Sequence, residues 1–338
     1  MRAAQFERVH EVNIVTKLIP RLAENEVLIE VEACGICGTD VHIVEGKSRS
    51  KPPVVLGHEY CGIVHDVGPA VQNLQAGQRV AVDPNISCGT CHYCHRGLVH
   101  LCSNLRALGV DIDGGMAERS LVPATQVFRV PDGMPPETAA LVEPVSCGVH
   151  GIDLAGIRTG DTVVVIGGGT MGLILAQLAR ASGAAGVVVV EPLEHKRVIA
   201  KRRGVDHLLD PAADDIRSAV LDLTGVGADV VIESVGKPET VRLSMDLARR
   251  GGTVEIFGVC PIGATLPLEP NMVYFNELKI VGSYINPHTF DRALSLLASG
   301  VVSTEGFSIE RFPLEGVEEA LGSTREGRAM KTILVPQL

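Results

Sequence analysis

Short apolar runs separated by turn residues fill the first 150 positions of the chain. EVLIEVEACGI, EYCGIVHDVG, QRVAVDP and ERSLVPATQVFRVP have the length and composition of strands, and glycine, proline and asparagine lie between them. No long helical periodicity interrupts this region. The pattern predicts a small, partly closed barrel and leaves the order of its strands undefined.

From about residue 150 the pattern changes to continuous apolar strands that alternate with helices. DTVVVIGGGTMGLILAQLARASGAAGVVVVEPLEHKR reads as strand, glycine-rich turn, helix and strand. The alternation continues through ADVVIESVG, a helix around Glu239–Arg250, GTVEIFGV and ELKIVGSY. It predicts a parallel, doubly wound sheet and hence an α/β fold. We place the first domain at 1–148 and the nucleotide-binding domain at 149–286, and expect 287–338 to return to the first domain.

The glycine-rich turn has the pattern G-x-G-x-x-G, formed by Gly167, Gly169 and Gly172 with Thr170 and Met171 between the last two. Glycines at these positions permit a tight turn and a close approach of the backbone to a pyrophosphate. The following helix N-terminus offers N–H groups to the phosphates. Because the turn follows an apolar strand and opens a helix, it predicts a dinucleotide site.

Glu191 ends the next strand, about twenty residues further on, as this fingerprint requires. We expect its carboxylate to accept hydrogen bonds from the adenosine ribose hydroxyls and to repel a 2′-phosphate. NAD is therefore favoured over NADP. Lys196 and Arg197 follow closely; they are candidate cofactor contacts, but we favour their placement on the exposed face of the next helix.

Four of the nine cysteines lie within fifteen residues, at Cys88, Cys91, Cys94 and Cys102. Four thiolates with this spacing close a tetrahedron around zinc and leave no open position, as in a structural site. An iron–sulfur cluster or a pair of disulfides are the alternatives, and a reducing compartment disfavours the disulfides. We expect a structural-zinc lobe at about 86–104, with His92, His95 and His100 exposed to solvent.

A second group of metal-ligating residue types lies between Gly35 and Tyr60. It contains Cys37 and the adjacent pair His58 and Glu59. Thiolate, imidazole and carboxylate are the side-chain ligands of zinc, and a catalytic zinc takes three of them. The third ligand is expected from further along the chain, with Glu143 in LVEPVSCGVHG as the candidate.

The chain has 338 residues and a formal net charge of −10, without a block of lysine and arginine. This charge argues against nucleic-acid binding. The N-terminus lacks the apolar core of a signal peptide, and no apolar run approaches the ~18 residues of a membrane span. We therefore expect a cytoplasmic protein that does not contact a membrane.

Five motifs, in this order, resemble the zinc-dependent medium-chain dehydrogenase/reductase family, and the sorbitol (polyol) dehydrogenase branch in particular. They are GICGTDVH, GHEYCGIVHDVG, the four-cysteine lobe, LVEPVSCGVHG and VVVIGGGTMG. The resemblance extends over essentially the full length. It implies a GroES-like β-barrel catalytic domain with an inserted Rossmann domain, two zinc ions per chain, NAD as cofactor, and a homotetramer.

The resemblance also implies roles for individual residues. Cys37 and His58 ligate the catalytic zinc together with an acidic ligand from the segment of Glu143, and Glu59 approaches the metal or orients its water. Asp40 holds His58 in one tautomer.

By the same resemblance, hydride is expected to pass from a secondary alcohol to the nicotinamide. Thr39, two residues after Cys37, is expected to accept the hydroxyl proton, and His42 to pass it to solvent. The alternative for His42 is a surface histidine without a relay function. Cys147 and Val259 are expected near the cofactor, and Lys331 at its pyrophosphate.

The function implied is an NAD- and zinc-dependent dehydrogenase that oxidises a secondary alcohol, of a polyol in the first instance, to a ketone. A threonine, amino-alcohol or cyclitol dehydrogenase is the alternative. A more distant alternative is a non-catalytic nucleotide-binding relative. The presence of Cys37, His58 and Glu143 disfavours it, because loss of any of these residues would have supported it. Tyr284, Asn286 and Phe275 are candidates for lining the substrate pocket.

Overall fold

The computed structural model describes residues 1–19 and 21–338. The chain forms two compact units. Unit 1 comprises Met1–Ser146, Asn286–Ala298 and Phe307–Leu338, and unit 2 comprises Cys147–Ile285 and Ser299–Gly306. Within the described residues, no helix combines the length and the apolar character needed to span a bilayer.

The strands are β1 (Arg2–Arg8), β2 (Glu11–Thr16), β3 (Glu26–Gly35), β4 (Val54–Val55), β5 (Glu59–Val67), β6 (Arg79–Val82), β7 (Asn85–Ile86), β8 (Arg106–Ala107), β9 (Arg119–Pro123), β10 (Val127–Arg129), β11 (Thr162–Ile166), β12 (Gly186–Val190), β13 (His207–Leu209), β14 (Ala228–Glu233), β15 (Ala248–Ile256), β16 (Lys279–Gly282), β17 (Ile309–Phe312) and β18 (Lys331–Leu334). The helices are α1 (Gly38–Val44), α2 (Pro136–Ala139), α3 (Val142–Ala155), α4 (Thr170–Ala181), α5 (Glu194–Arg202), α6 (Ile216–Thr224), α7 (Pro238–Leu247), α8 (Pro270–Asn276), α9 (Phe290–Ala298) and α10 (Val317–Glu326).

Unit 1 is built on a seven-stranded sheet. Six strands follow the order β10-β6-β5-β3-β18-β17, and β9 also pairs with β3. Strands β3 and β5 are antiparallel, with Gly35 opposite Glu59. Strand β18 pairs antiparallel with β3, so that Ile333 lies opposite Gly35. The end of β3 is therefore the place where three distant segments of the chain meet.

The core of unit 1 is formed by the alternating apolar positions of these strands. Ile29, Val31, Val64 and Val80 are fully buried, as is Tyr60, whose hydroxyl shares a hydrogen bond of 2.9 Å with Ser120. Burial of each large apolar side chain contributes about 1.5–3 kcal/mol to the free energy of unfolding. The strand register is fixed as a result, because a one-residue slip would expose the same side chains to solvent.

Unit 2 is a six-stranded, all-parallel sheet with the order β13-β12-β11-β14-β15-β16. Its central strands are continuous runs of buried valine and isoleucine, because helices cover both faces of such a sheet. The predicted parallel, doubly wound sheet, and with it the α/β fold class, is confirmed. One predicted helix is too long: α7 ends at Leu247, and Ala248 begins β15 by pairing with Ala228 of β14.

Candidate active site

The side chains of Cys37, His58 and Glu59 converge in unit 1. Their ligand atoms all lie within 4.8 Å of one another, with His58 and Glu59 buried and Cys37 partly buried. The register of β3 and β5 explains this grouping, because Cys37 follows the end of β3 while His58 and Glu59 stand at the start of β5. Two segments about twenty residues apart in sequence thus supply a thiolate, an imidazole and a carboxylate to one point.

Asp40 is completely buried in the first turn of α1, and it contacts two members of this group. Its Oδ2 accepts a hydrogen bond from the backbone N–H of Cys37 at 2.8 Å. Its Oδ1 lies 3.4 Å from Nδ1 of His58. Since Nδ1 faces the carboxylate, Nε2 is the ring nitrogen left to bind a metal.

The electrostatics of the group favour a cation. Burial alone lowers the pKa of His58, but Asp40 and Cys37 outweigh it and hold that pKa well above its ordinary value. The carboxyl groups of Asp40 and Glu59 thus lie with the Cys37 sulfur around His58 in a buried site. A divalent metal is the compensating charge that this donor set fits, because buried anions are stable only when paired or metal-bound.

Lys331, at the start of β18, forms a buried ion pair with Glu59. Burial lowers the pKa of the Lys331 ammonium, but Glu59 and then Cys37 raise it, so that the net shift is upward. The two residues are 272 positions apart in sequence. The structure therefore shows Lys331 in contact with Glu59. The predicted contact of Lys331 with the cofactor pyrophosphate stays a prediction.

The remaining candidates lie on two helices. Thr39 and His42 are both partly buried on α1, and their spacing of three residues puts them on one helix face. Glu143 is buried in the first turn of α3. Among the described residues it is not part of the close metal-ligating group. Its role as a ligand therefore stays a prediction.

Asn286, a candidate for lining the substrate pocket, is buried inside a hydrogen-bond network, and its role in the pocket stays a prediction. Its Nδ2 donates to Oγ of Ser146 at 2.8 Å, and its Oδ1 accepts from Nδ2 of Asn85 at 2.6 Å. The Ser146 hydroxyl in turn donates to the carbonyl of Glu143 at 2.6 Å. The network ties down the first turn of α3. Tyr284 and Phe275 are exposed.

Cys88, Cys91, Cys94 and Cys102 form a second group, whose sulfur atoms all lie within 4.8 Å of one another. The Sγ atoms of Cys91 and Cys94 are 3.5 Å apart, and those of Cys88 and Cys94 are 4.0 Å apart. Zn–S bonds of about 2.3 Å in a tetrahedron place sulfur atoms at this separation. The group is therefore shaped for a closed four-thiolate site.

The loop around these sulfur atoms stabilises the thiolates of Cys88 and Cys91, whereas desolvation and the hydrogen bond with Cys91 raise the pKa of Cys94 to about 11. Hydrogen bonds from Thr90 lower the pKa of Cys88 to about 5, and those from the backbone of Cys94 and Ser103 lower that of Cys91 to about 7. The backbone N–H groups of Cys88 and Asn104 both donate to Sγ of Cys102 at 3.3 Å.

The predicted exposure of the lobe's histidines was correct for His92 and His95 but wrong for His100. His100 is partly buried, and this burial, followed by the charge of His288, lowers its pKa.

The glycine-rich turn in unit 2 has the backbone of a phosphate cradle. Gly167 has φ of +102°, and a Cβ on Gly172 would lie 1.9 Å from the carbonyl oxygen of Gly167. Both positions therefore require glycine. A Cβ on Gly169 would meet nothing within 4 Å, and Gly169 is the N-cap of α4 without a side-chain cap. The open space lies in front of a helix N-terminus, where a phosphate is stabilised.

Glu191 is buried beside this turn. Its Oε2 accepts from the N–H of Gly168 at 2.8 Å and its Oε1 from the N–H of Leu193 at 2.9 Å. Each carboxylate oxygen can accept a second hydrogen bond. Arg197 is held by the carbonyls of Glu191 and Pro192 and by Asp210.

The other predicted cofactor contacts, all in unit 2, differ in exposure. Cys147 and Lys196 are partly buried, and Val259 is exposed. Their contacts with a cofactor stay predictions. The bond between Glu191 and Gly168 had no signal in the sequence beyond the acidic residue itself.

Comparison with protein families identifies both units. Residues 23–132 match the alcohol dehydrogenase GroES-like domain, and residues 170–299 match the zinc-binding dehydrogenase domain.

Individual relatives match over nearly the whole chain. D-arabinitol dehydrogenase 1 of Uromyces fabae is 35% identical, over 99% of this chain and 97% of that relative. L-threonine 3-dehydrogenase of Pyrococcus horikoshii is 36% identical, over 94% and 93%. A protein of Sinorhizobium meliloti 1021, described as a zinc-binding dehydrogenase and solved with NADP bound, has a TM-score of 0.95 at 42% identity, with 99% of each chain covered.

Proposed function

The chain belongs to the zinc-dependent alcohol dehydrogenase family of the medium-chain dehydrogenases, and on that premise we propose that it oxidises a secondary alcohol group of a polyol to a ketone, with NAD as the hydride acceptor. The observation that carries this proposal is the convergence of Cys37, His58 and Glu59 within 4.8 Å. A dehydrogenase of this kind needs both a metal site and a nucleotide cradle, and the chain has residues suited to each.

Two zinc ions per chain are part of the proposal. Cys37, His58 and Glu59 hold the catalytic ion, and the four cysteines of the lobe hold the structural one. When bound, the catalytic zinc supplies Lewis-acid chemistry that lowers the pKa of the substrate hydroxyl, and the nicotinamide takes the hydride.

The chain's own residues bind, orient and move the proton. Asp40 fixes the ring of His58 so that Nε2 is directed to the metal. Thr39 accepts the proton of the substrate hydroxyl, and His42, one helical turn further, delivers it to solvent. Lys331 balances the charge of Glu59 and competes with the metal for that carboxylate. Glu143 is a candidate for an additional ligand.

NAD is proposed as the preferred cofactor because Glu191 lies beside the phosphate turn. There its carboxylate can accept hydrogen bonds from the hydroxyls of the adenosine ribose, and it would repel the 2′-phosphate of NADP. Arg197, the nearby cation that could offset this repulsion, is engaged with two carbonyls and Asp210. Because the Sinorhizobium meliloti relative was solved with NADP bound, a preference for NADP is the alternative that the cofactor assay must test. By family resemblance we also propose a homotetramer.

A second candidate is an L-threonine 3-dehydrogenase, which the relative from Pyrococcus horikoshii favours. It uses the same metal and cofactor sites with an amino alcohol as substrate. The two functions are separated by following NADH and NADPH absorbance with sorbitol, xylitol, the arabinitols, butanediol, cyclitols and L-threonine. Turnover of one polyol with NAD supports the first proposal. Turnover of L-threonine alone replaces it with the second, and no turnover of any alcohol contradicts both.

A further inference from the structure

A cavity of about 470 Å³ lies in unit 1 beside the four-cysteine lobe. One wall is the segment after α1, with Arg49 and Lys51, and the other is the segment that leads into β8, with Arg106. No member of the close group of Cys37, His58 and Glu59 lines it. The cavity is therefore distinct from the proposed catalytic metal site, whereas Cys88 of the four-cysteine lobe forms part of its lining.

The charge inside this cavity is opposite to that of the whole chain. Three cationic side chains face one carboxylate, that of Asp111. Asp111 is already engaged: its Oδ2 accepts from the N–H of Ala107 at 3.0 Å, and its Oδ1 lies 3.7 Å from Nζ of Lys51. Over residues 1–19 and 21–338, no ion pair neutralises Arg49 or Arg106. A chain with net charge −10 thus keeps two uncompensated guanidinium groups at one cavity.

The backbone of both walls is tied in place. The hydroxyl of Ser50 and the N–H of Lys51 both donate to the carbonyl of Val110, at 2.8 and 3.1 Å. Arg106 lies opposite Ile86 in the pairing of β7 with β8. Next to it, the N–H of Asn104 is bonded to Sγ of Cys102. The two arginines therefore project from fixed positions, which reduces the entropy lost on binding a ligand.

We propose that this cavity binds a small phosphorylated polyol or sugar through its phosphate group. Arginine forms two parallel hydrogen bonds with a phosphate, and the dianion matches the net charge of the cavity better than a single carboxylate does. The volume exceeds what a phosphate ion needs. The side chains of Ser87, Ser103 and Asn104 line the remaining space and are suited to hydrogen bonds with sugar hydroxyls.

The test is calorimetric titration of the full-length zinc-loaded protein with sorbitol 6-phosphate, inorganic phosphate and sorbitol. Saturating NADH is present throughout, so that the cofactor's own phosphate sites are filled and no alcohol is oxidised. Arg49→Ala/Arg106→Ala is compared with Arg96→Ala/Arg217→Ala, which removes two exposed arginines elsewhere and the same charge. Zinc content and melting temperature verify that each variant is folded.

We expect saturable binding of sorbitol 6-phosphate, weaker binding of inorganic phosphate, and no effect of the cavity variant on sorbitol, which has no phosphate group. Loss of two charge-assisted contacts should weaken the phosphate ester at least about tenfold in the cavity variant, but not in the control. Absence of saturable binding, or equal affinity in both double variants, overturns the proposal. Equal affinity for inorganic phosphate and for sorbitol 6-phosphate would show that the cavity does not recognise the sugar part of the ligand. Because no turnover is measured, these outcomes are independent of the proposed dehydrogenase activity.

Discussion

The carboxylate of Asp40 lies with Oδ1 3.4 Å from Nδ1 of His58. Its second oxygen, Oδ2, accepts a hydrogen bond from the backbone N–H of Cys37 at 2.8 Å. A single buried side chain thus orients the imidazole of one proposed zinc ligand and the backbone of another. Asp40 is itself completely buried, so water does not screen its charge from these neighbours.

Asp40→Asn should weaken zinc at the catalytic group by about tenfold to a hundredfold, because the amide keeps the shape but loses the charge that fixes His58. Competition with a chelator, monitored by zinc retained per chain, measures this. The four-cysteine zinc should be unaffected. Asp132→Asn is the control, since the side chain of Asp132 is 93% exposed. Unchanged retention in Asp40→Asn would show that the carboxylate does not support the metal site.

Cys94→Ser should remove one zinc per chain and lower the melting temperature by about 10 °C or more, because a closed thiolate site contributes its binding free energy to folding. Elemental analysis and thermal denaturation measure the two effects. Cys260→Ser, outside both cysteine-containing groups, should change neither. If Cys94→Ser retained its full zinc content, the lobe would not be a four-thiolate site.

Gly169→Ala should fold normally and bind NADH at least about tenfold more weakly. The backbone of Gly169, with φ of −71°, accepts alanine, and the added Cβ meets no protein atom within 4 Å. It occupies the space that the turn leaves for a pyrophosphate. Fluorescence titration with NADH and thermal denaturation are the measurements.

Gly172→Ala is the matched comparison for this turn, because its Cβ would clash with Gly167 and destabilise the fold itself. Wild-type affinity for NADH in a folded Gly169→Ala variant would contradict the placement of the cofactor.

Glu255 is fully buried on β15 without a hydrogen-bond partner, and burial raises its pKa to about 8. Between its ordinary value of 4.5 and 8, the unfolded chain has lost a proton that the folded chain retains. The free energy of unfolding therefore falls as the pH rises through this window, by up to about 5 kcal/mol.

Glu255→Gln cannot ionise, so its advantage over the wild type in urea denaturation should grow from pH 5 to pH 8. The exposed Glu24→Gln should show no such trend. A stability difference that is the same at both pH values would mean that Glu255 is not protonated in the folded state.

The sequence was sufficient for the α/β fold class, because the continuous apolar strands of unit 2 and the glycine-rich turn are typical of a parallel, doubly wound sheet. The end of α7 was predicted too late. Residues 248–250, Ala-Arg-Arg, have good helix propensity, but pairing of Ala248 with Ala228 extends the sheet instead.

Residue types and spacing also predicted two groups of cysteine, histidine and glutamate that converge in the structure, although Glu143, the predicted third ligand of the first group, is not among its described members. What they could not indicate was pairing over long distances. The contact of Lys331 with Glu59 depends on β18 joining β3, and the burial of Asn286 depends on its bonds with Asn85 and Ser146. Both follow from tertiary packing, which no local pattern records.

The most direct test of the central claim is zinc content measured together with polyol oxidation in the wild type and in Cys37→Ser. We predict two zinc ions per chain and NAD-linked oxidation of one polyol in the wild type. Cys37→Ser should retain one zinc, the native melting temperature and NADH binding, with activity reduced by several orders of magnitude. Two zinc ions and undiminished activity in Cys37→Ser would contradict the assignment of Cys37, His58 and Glu59 as the catalytic metal site.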